Sequence, residues 1–170
     1  MRYYATASGK IVVDAMRAGR LGMIATPAAG NTVPEDVDWC ADNGCFTAGR
    51  YPGDDRYLAW LARHAAHAVR CAFATAPDVV GDAAATLARS VPMLPRIRAA
   101  GYPAALVAQD GLERLRVPWE LTDGLFLGFT FRAPGCVRRR WVAFLGSWRT
   151  RLLPMFITCD TLSSSTGGVA

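Results

Sequence analysis

Lysine is almost missing from this chain: of 19 basic residues, all but Lys10 are arginine, a bias that points to a GC-rich gene. Histidine is as scarce, with His64 and His67 alone. Three residues apart on a helical segment, they can share a face. No cysteine or carboxylate stands beside them there, so they are expected to face solvent, not to hold a metal. The five cysteines (Cys40, Cys45, Cys71, Cys136 and Cys159) form no CxxC pair and no Cys/His cluster with zinc spacing. Reduced thiols, without a metal or a disulfide framework, are expected. No run approaches the roughly 18 consecutive apolar residues that a membrane-spanning helix needs. The N-terminal segment MRYYATASGKIVVDAMRAGR lacks the apolar core of a signal peptide. A cytoplasmic protein without a membrane partner is the expectation.

Acidic residues are missing from one end only. Through Gly128 there are 13 basic and 13 acidic residues. Beyond it, Arg132, Arg138, Arg139, Arg140, Arg149 and Arg151 face Asp160 alone, so the whole net charge of +5 lies there. This break divides the chain into 1–128 and a basic tail, 129–170. With 52% hydrophobic and 19% charged residues, the composition is that of a folded protein.

Residues 1–128 alternate between two patterns. Apolar runs of strand length occupy 21–26, 37–41, 71–76, 104–108 and 124–128. Between them lie helical patterns. Ser8 can cap a short helix carrying Val12, Ala15 and Met16, which Gly19 stops. Asp54 or Asp55 can cap another, with Leu58, Leu61, Ala62, Ala65 and Val69 on one side. Residues 82–100 are helical with a kink or restart at Pro92 and Pro95, and a short link containing Pro118 precedes the last strand. Trp39, Trp60 and Trp119 read as packing residues. Strands buried on both faces and separated by helices imply a parallel α/β sheet. Doubly wound sheets and (β/α)8 barrels both fit.

Asp42, Asp78, Gln109 and Gly128 fall at or just beyond the C-terminal ends of their strands. Ligands and catalytic groups collect at that edge in parallel α/β folds. Each position is also ordinary turn chemistry when taken singly.

ADNGCF (41–46), after an apolar strand, resembles the Asp-Ser-Gly-Gly-Phe signature of the tRNA-guanine transglycosylase superfamily. APDVVGD (76–82), VAQDG (107–111) and GLFLG (124–128) follow in that superfamily's order. The likeness is greater to phage and bacterial relatives that insert 7-deazaguanines into DNA. It implies a (β/α)8 TIM-type barrel, present here as about five βα units, and exchange of guanine for a deazaguanine base in DNA or tRNA. Asp42 then matches a catalytic aspartate. Asn43 and Gly44 match the polar-glycine pair that lines the substrate, with Cys45 in place of a second glycine. Asp78 matches the aspartate that reads the guanine edge, a task suited to a carboxylate accepting two parallel hydrogen bonds. Gln109 matches the glutamine that donates to the base O6, and Gly128 the glycine lying against the base.

The family's nucleophilic aspartate, its later strands and its Cys/His zinc site have no counterpart in 1–128 or in the tail. No cofactor is therefore expected. A truncated protein, weakly active or inactive alone, is the expectation, with exposed edges met by homo-oligomerisation, by the tail or by a complementing C-terminal fragment. The tail itself reads three ways: a nucleic-acid arm in which Arg138–Arg140 contact phosphates beside Trp141, Phe144 and Trp148; a membrane-surface or partner helix; or an out-of-frame translation. Two other functions stay open. One is a non-catalytic purine- or nucleic-acid-binding protein. The other is a hydrolase pairing Asp42 with Asp78 as acid and base.

Overall fold

The computed structural model describes residues 3–128 together with the backbone of Met155–Ile157. The tail residues Arg138–Arg140, Cys136, Cys159 and Asp160 lie outside the described residues. Six strands run through the first part: β1 (Tyr4–Thr6), β2 (Gly22–Ala25), β3 (Trp39–Ala41), β4 (Cys71–Thr75), β5 (Ala104–Ala108) and β6 (Gly124–Leu127). A seventh, β7 (Met155–Ile157), pairs with β6. The helices are α1 (Lys10–Arg17), α2 (Asp54–Arg63), α3 (Ala83–Ser90) and α4 (Leu94–Ala99).

Every pairing is parallel, and the spatial order of the strands is their order along the chain. A doubly wound sheet reverses direction at a switch point; among the described strands there is no reversal. Right-handed crossovers that always step the same way leave their helices on one face. The packing follows that rule. Met23, Ala25, Trp39, Ala41, Ala74 and Ala104 pack with Met16 of α1, Tyr57, Trp60 and Leu61 of α2, and Leu94 and Ile97 of α4. Leu106, Ala108, Leu125 and Leu127 continue this layer against Ala83 and Leu87 of α3.

The alternate residues form the opposite face. Cys40, Phe73 and Ala105 are buried there, with Tyr4, Ile24 and Phe126 packed against them. One residue from each of β1–β6 thus meets in a single layer. The Tyr4 and Phe73 ring centroids are 6.3 Å apart, although β2 and β3 lie between their strands. In a flat sheet three steps would separate the two positions by about 14 Å. Leaning side chains and a concave sheet close that gap. Glycine at position 22 makes the lean possible: a Cβ there would lie 2.3 Å from the Tyr4 ring.

Several sequence expectations are corrected. The strand count within 3–128 is six, because the three-residue Tyr4–Thr6 run pairs with Gly22–Ile24. Helix α1 starts after Gly9 without a side-chain cap from Ser8. Helix α2 begins after Gly53 without a capping carboxylate and ends at Arg63, with a 3-10 segment at Ala65–Arg70. Of the expected face, Leu61 is buried and Leu58 packs against the core, but Ala62, Ala65 and Val69 are exposed, and the buried side is completed by Tyr57 and Trp60. Large aromatic side chains remove more apolar area from water than the alanines do, and they set the face. The Trp39 indole donates to the His67 carbonyl at 2.9 Å, which holds the chain in the tighter turn. His64 and His67 face solvent only in part: both are half-buried, and His64 packs 4.6 Å from Trp60 and 5.8 Å from Trp39. Pro92 and Pro95 do interrupt 82–100, with Pro95 in the first turn of α4, where its missing N–H is harmless.

Replacing Gly22 by alanine is expected to destabilise the fold by about 1–3 kcal/mol through overpacking. In a Tyr4→Ala background the same substitution should lose most of that effect. Denaturant unfolding of the four proteins in this cycle checks it.

Candidate functional site

The β4–α3 loop is fastened at nearly every residue. Ser90 Oγ donates to the Pro77 carbonyl at 2.7 Å, and Arg89 Nη1 donates to the Asp78 carbonyl at 3.1 Å. Thr86 Oγ1 accepts from Val79 N–H at 2.9 Å and donates to Val79 O at 3.0 Å. Gly81 N–H donates to Gln109 Oε1 at 2.9 Å, and Asp82 caps α3 by accepting from Ala85 N–H. A loop held this way presents Asp78 in one place.

Asp78 is only 6% exposed, and both its oxygens are occupied. Asn43 Nδ2 donates to Oδ1 at 3.0 Å and Gln109 Nε2 donates to Oδ2 at 2.6 Å. The orientation of each amide is forced from its other end. Gln109 Oε1 must face Gly81 N–H, and Asn43 Oδ1 accepts from Cys45 N–H at 2.6 Å. Asn43 Nδ2 also donates to Ala76 O at 2.8 Å, so both of its amide hydrogens are committed. Its backbone N–H reaches Thr75 Oγ1 at 2.9 Å. Asn43 therefore holds Asp78 and ties the end of β3 to the end of β4.

Gly128 closes the group from β6. Its N–H donates to Ala108 O at 3.1 Å, and a Cβ at this position would lie 2.9 Å from Gln109 Nε2. Only glycine leaves room for that amide in its present place. Gly44 shapes the β3 turn with φ +81°, and its N–H meets Asp42 Oδ2 at 3.3 Å. Asp42 is half-buried, and its charge bears on Cys40, Cys45 and Tyr57. The structure thus joins Asn43, Asp78, Gln109 and Gly128 directly, with Asp42 and Gly44 on the adjoining turn.

Burial pushes the Asp78 carboxyl above the usual value, while the hydrogen bonds from Asn43 and Gln109 and the Arg89 charge work downward. Burial, the largest influence on Cys45, pushes its thiol up to about 11. A thiol so shifted is neutral and a poor nucleophile near neutral pH. Cys40, Cys45 and Cys71 are free. Among the described residues no group of three or more His, Cys, Asp or Glu side chains is placed to hold a metal ion, and no helix is long and apolar enough to cross a membrane. A groove of about 580 Å3 lined by Arg116, Val117, Trp119 and Glu120 lies on the connection into β6. It shares no residue with the Asp78 cluster.

Sequence reading missed Arg89, Thr86, Ser90 and Thr75. All four act through hydrogen bonds to loop backbone or to Asn43, and nothing in their local sequence marks them. Phe46, on the turn after Cys45, is 65% exposed, a large aromatic beside the cluster. No protein-family profile, curated protein or solved structure matches the chain.

Asp78→Ala would leave one hydrogen each of the Asn43 and Gln109 amides unpaired and is expected to destabilise the protein by about 2–6 kcal/mol, at about 1–3 kcal/mol for each. Asp42→Ala should have a smaller effect. Equal losses of stability in chemical denaturation would contradict the account of the cluster.

Proposed function

We propose that the rim formed by Asp78, Gln109 and Gly128 binds a guanine or 7-deazaguanine base, in a protein of the transglycosylase type acting on DNA or tRNA. The observation that carries this reading is the buried Asp78 carboxylate between two amides of forced orientation. A carboxylate oxygen accepts more than one hydrogen bond, and an amide nitrogen carries two hydrogens. Asp78 already accepts from Asn43, Gln109 and its own backbone N–H, and the lone pairs left over are the acceptors proposed for the N1–H and exocyclic-amine edge of a guanine. Gln109 Nε2 has one hydrogen beyond the one given to Asp78, suited to O6. Gly128 keeps that nitrogen unobstructed from β6.

The one-directional parallel sheet supports a partial (β/α)8-type barrel as the frame, with the rim at the strands' C-terminal ends. A nucleotide in DNA or tRNA would have to leave its stack to reach the rim. Asp42, on the adjoining turn, is the catalytic candidate. No residue of 1–128 corresponds to the family's sugar-attacking nucleophile, so the proposal for these residues is base recognition with little or no turnover. The cytoplasm, where base and nucleic acid meet, is the compartment this function requires.

Titration calorimetry with guanine should show binding near neutral pH that Asp78→Ala abolishes. Recognition needs the ionised carboxylate, so binding is present above the Asp78 pKa and lost as pH falls through it. Because burial raises that pKa, the loss should be centred above the ordinary 3.8. Guanine binding untouched by Asp78→Ala overturns the reading. Incorporation of labelled deazaguanine into DNA or tRNA by the purified chain would overturn the expectation of little turnover.

A further inference from the structure

Arg89 projects from α3 into the space between two rim loops. Its Nη1 donates to the Asp78 carbonyl at 3.1 Å, and its guanidinium carbon lies 4.7 Å from the centroid of the Tyr51 ring. Tyr51 belongs to the β3–α2 loop, and its hydroxyl donates to Asp54 Oδ1 at 2.7 Å, in the first turn of α2. A planar guanidinium can donate in its own plane while its face covers an aromatic ring, which an ammonium cannot do. One side chain therefore links α3, the Asp78 loop, Tyr51 and the start of α2.

We propose that Arg89 is a positioning residue for base recognition, clamping the Asp78 turn against Tyr51 of the neighbouring rim loop. This role rests on the base-binding reading of the same site. The groups that bear on Asp78 are the neutral amides of Asn43 and Gln109, its own backbone N–H and the Arg89 cation; the Asp78 and Asp42 charges in turn act on the Cys45 thiol. Arg89 is the cation in this set. It favours the ionised carboxylate that a guanine edge needs, and it keeps the carboxylate's loop from separating from the 43–53 segment. A purely structural brace would do the second without the first.

The test follows the Asp78 carboxyl by 13C NMR titration in the full chain, alongside guanine calorimetry across the same pH range. The proteins are the unaltered chain, Arg89→Gln, Arg89→Lys and Tyr51→Leu. In Arg89→Gln the Asp78 midpoint should rise and the acid limb of guanine binding should move up with it. Arg89→Lys and Tyr51→Leu retain a cation, so the midpoint should stay near its original value. Both lose the stacked clamp, so guanine affinity should fall several-fold at every pH. An unmoved Asp78 midpoint in Arg89→Gln, with guanine binding intact in the unaltered chain, overturns the Arg89 role alone. Full guanine affinity in both Arg89→Lys and Tyr51→Leu overturns the clamp. If Arg89→Gln does not fold, these two variants still decide it. No guanine binding by the unaltered chain overturns the base-binding reading, and the Arg89 role with it.

Discussion

The buried carboxylate of Asp78 governs its surroundings because it cannot be left bare. An ion removed from water needs partners, and Asn43 and Gln109 supply one to each oxygen. Once those bonds are made, neither amide is free to turn, since each must also receive a backbone N–H at its oxygen. The end of β3, the β4–α3 loop and the end of β5 are joined through a single charge. Such a rim is ordered before any ligand arrives, the condition under which a few polar groups can discriminate between flat heterocycles.

The sheet makes that junction possible. Parallel strands in sequential order deliver their C-terminal ends side by side, and alternation sends every second residue to the helix-free face. Gln109 follows Val107 on that face and Gly128 follows Phe126. The aromatic layer of Tyr4, Phe73 and Phe126 therefore lies one or two residues below the polar rim and gives it an apolar floor. Gln109 and Gly128 reach the rim by this period-two pattern, whereas Asn43 and Asp78 reach it from the loops that follow β3 and β4.

Much of this was legible in the residues. AALVA coincides with β5 residue for residue, because a short, wholly buried run between Gly101-Tyr102-Pro103 and Gln109-Asp110-Gly111 has no other use. The turn residues that end β3, β4 and β5 marked the rim for the same reason. Strand β1 was not legible: three residues beside a helix show no period. The face of α2 was right at Leu58 and Leu61 and wrong at its alanines, because alanines fit either side of a helix, whereas Tyr57 and Trp60 do not. His64 and His67 were assigned to water because their packing depends on Trp39, which is distant along the chain. Arg89 carried no signal at all, since one arginine on a helix looks like any other until a carbonyl and a ring are placed on either side of it.

The sequential pairing also bears on how the chain acquires its shape. Each strand's partner is the strand made immediately before it, so no segment waits for a distant portion of the polypeptide to be synthesised. Loop-closure entropy is lower than it would be for pairing with a strand further along the chain, and a growing sheet can add one strand-and-helix unit at a time onto a template already in place. The Asp78 junction is the exception within this progression. It needs Asn43, Asp78 and Gln109 together, so it cannot form until the strands that carry them, β3, β4 and β5, are all in place.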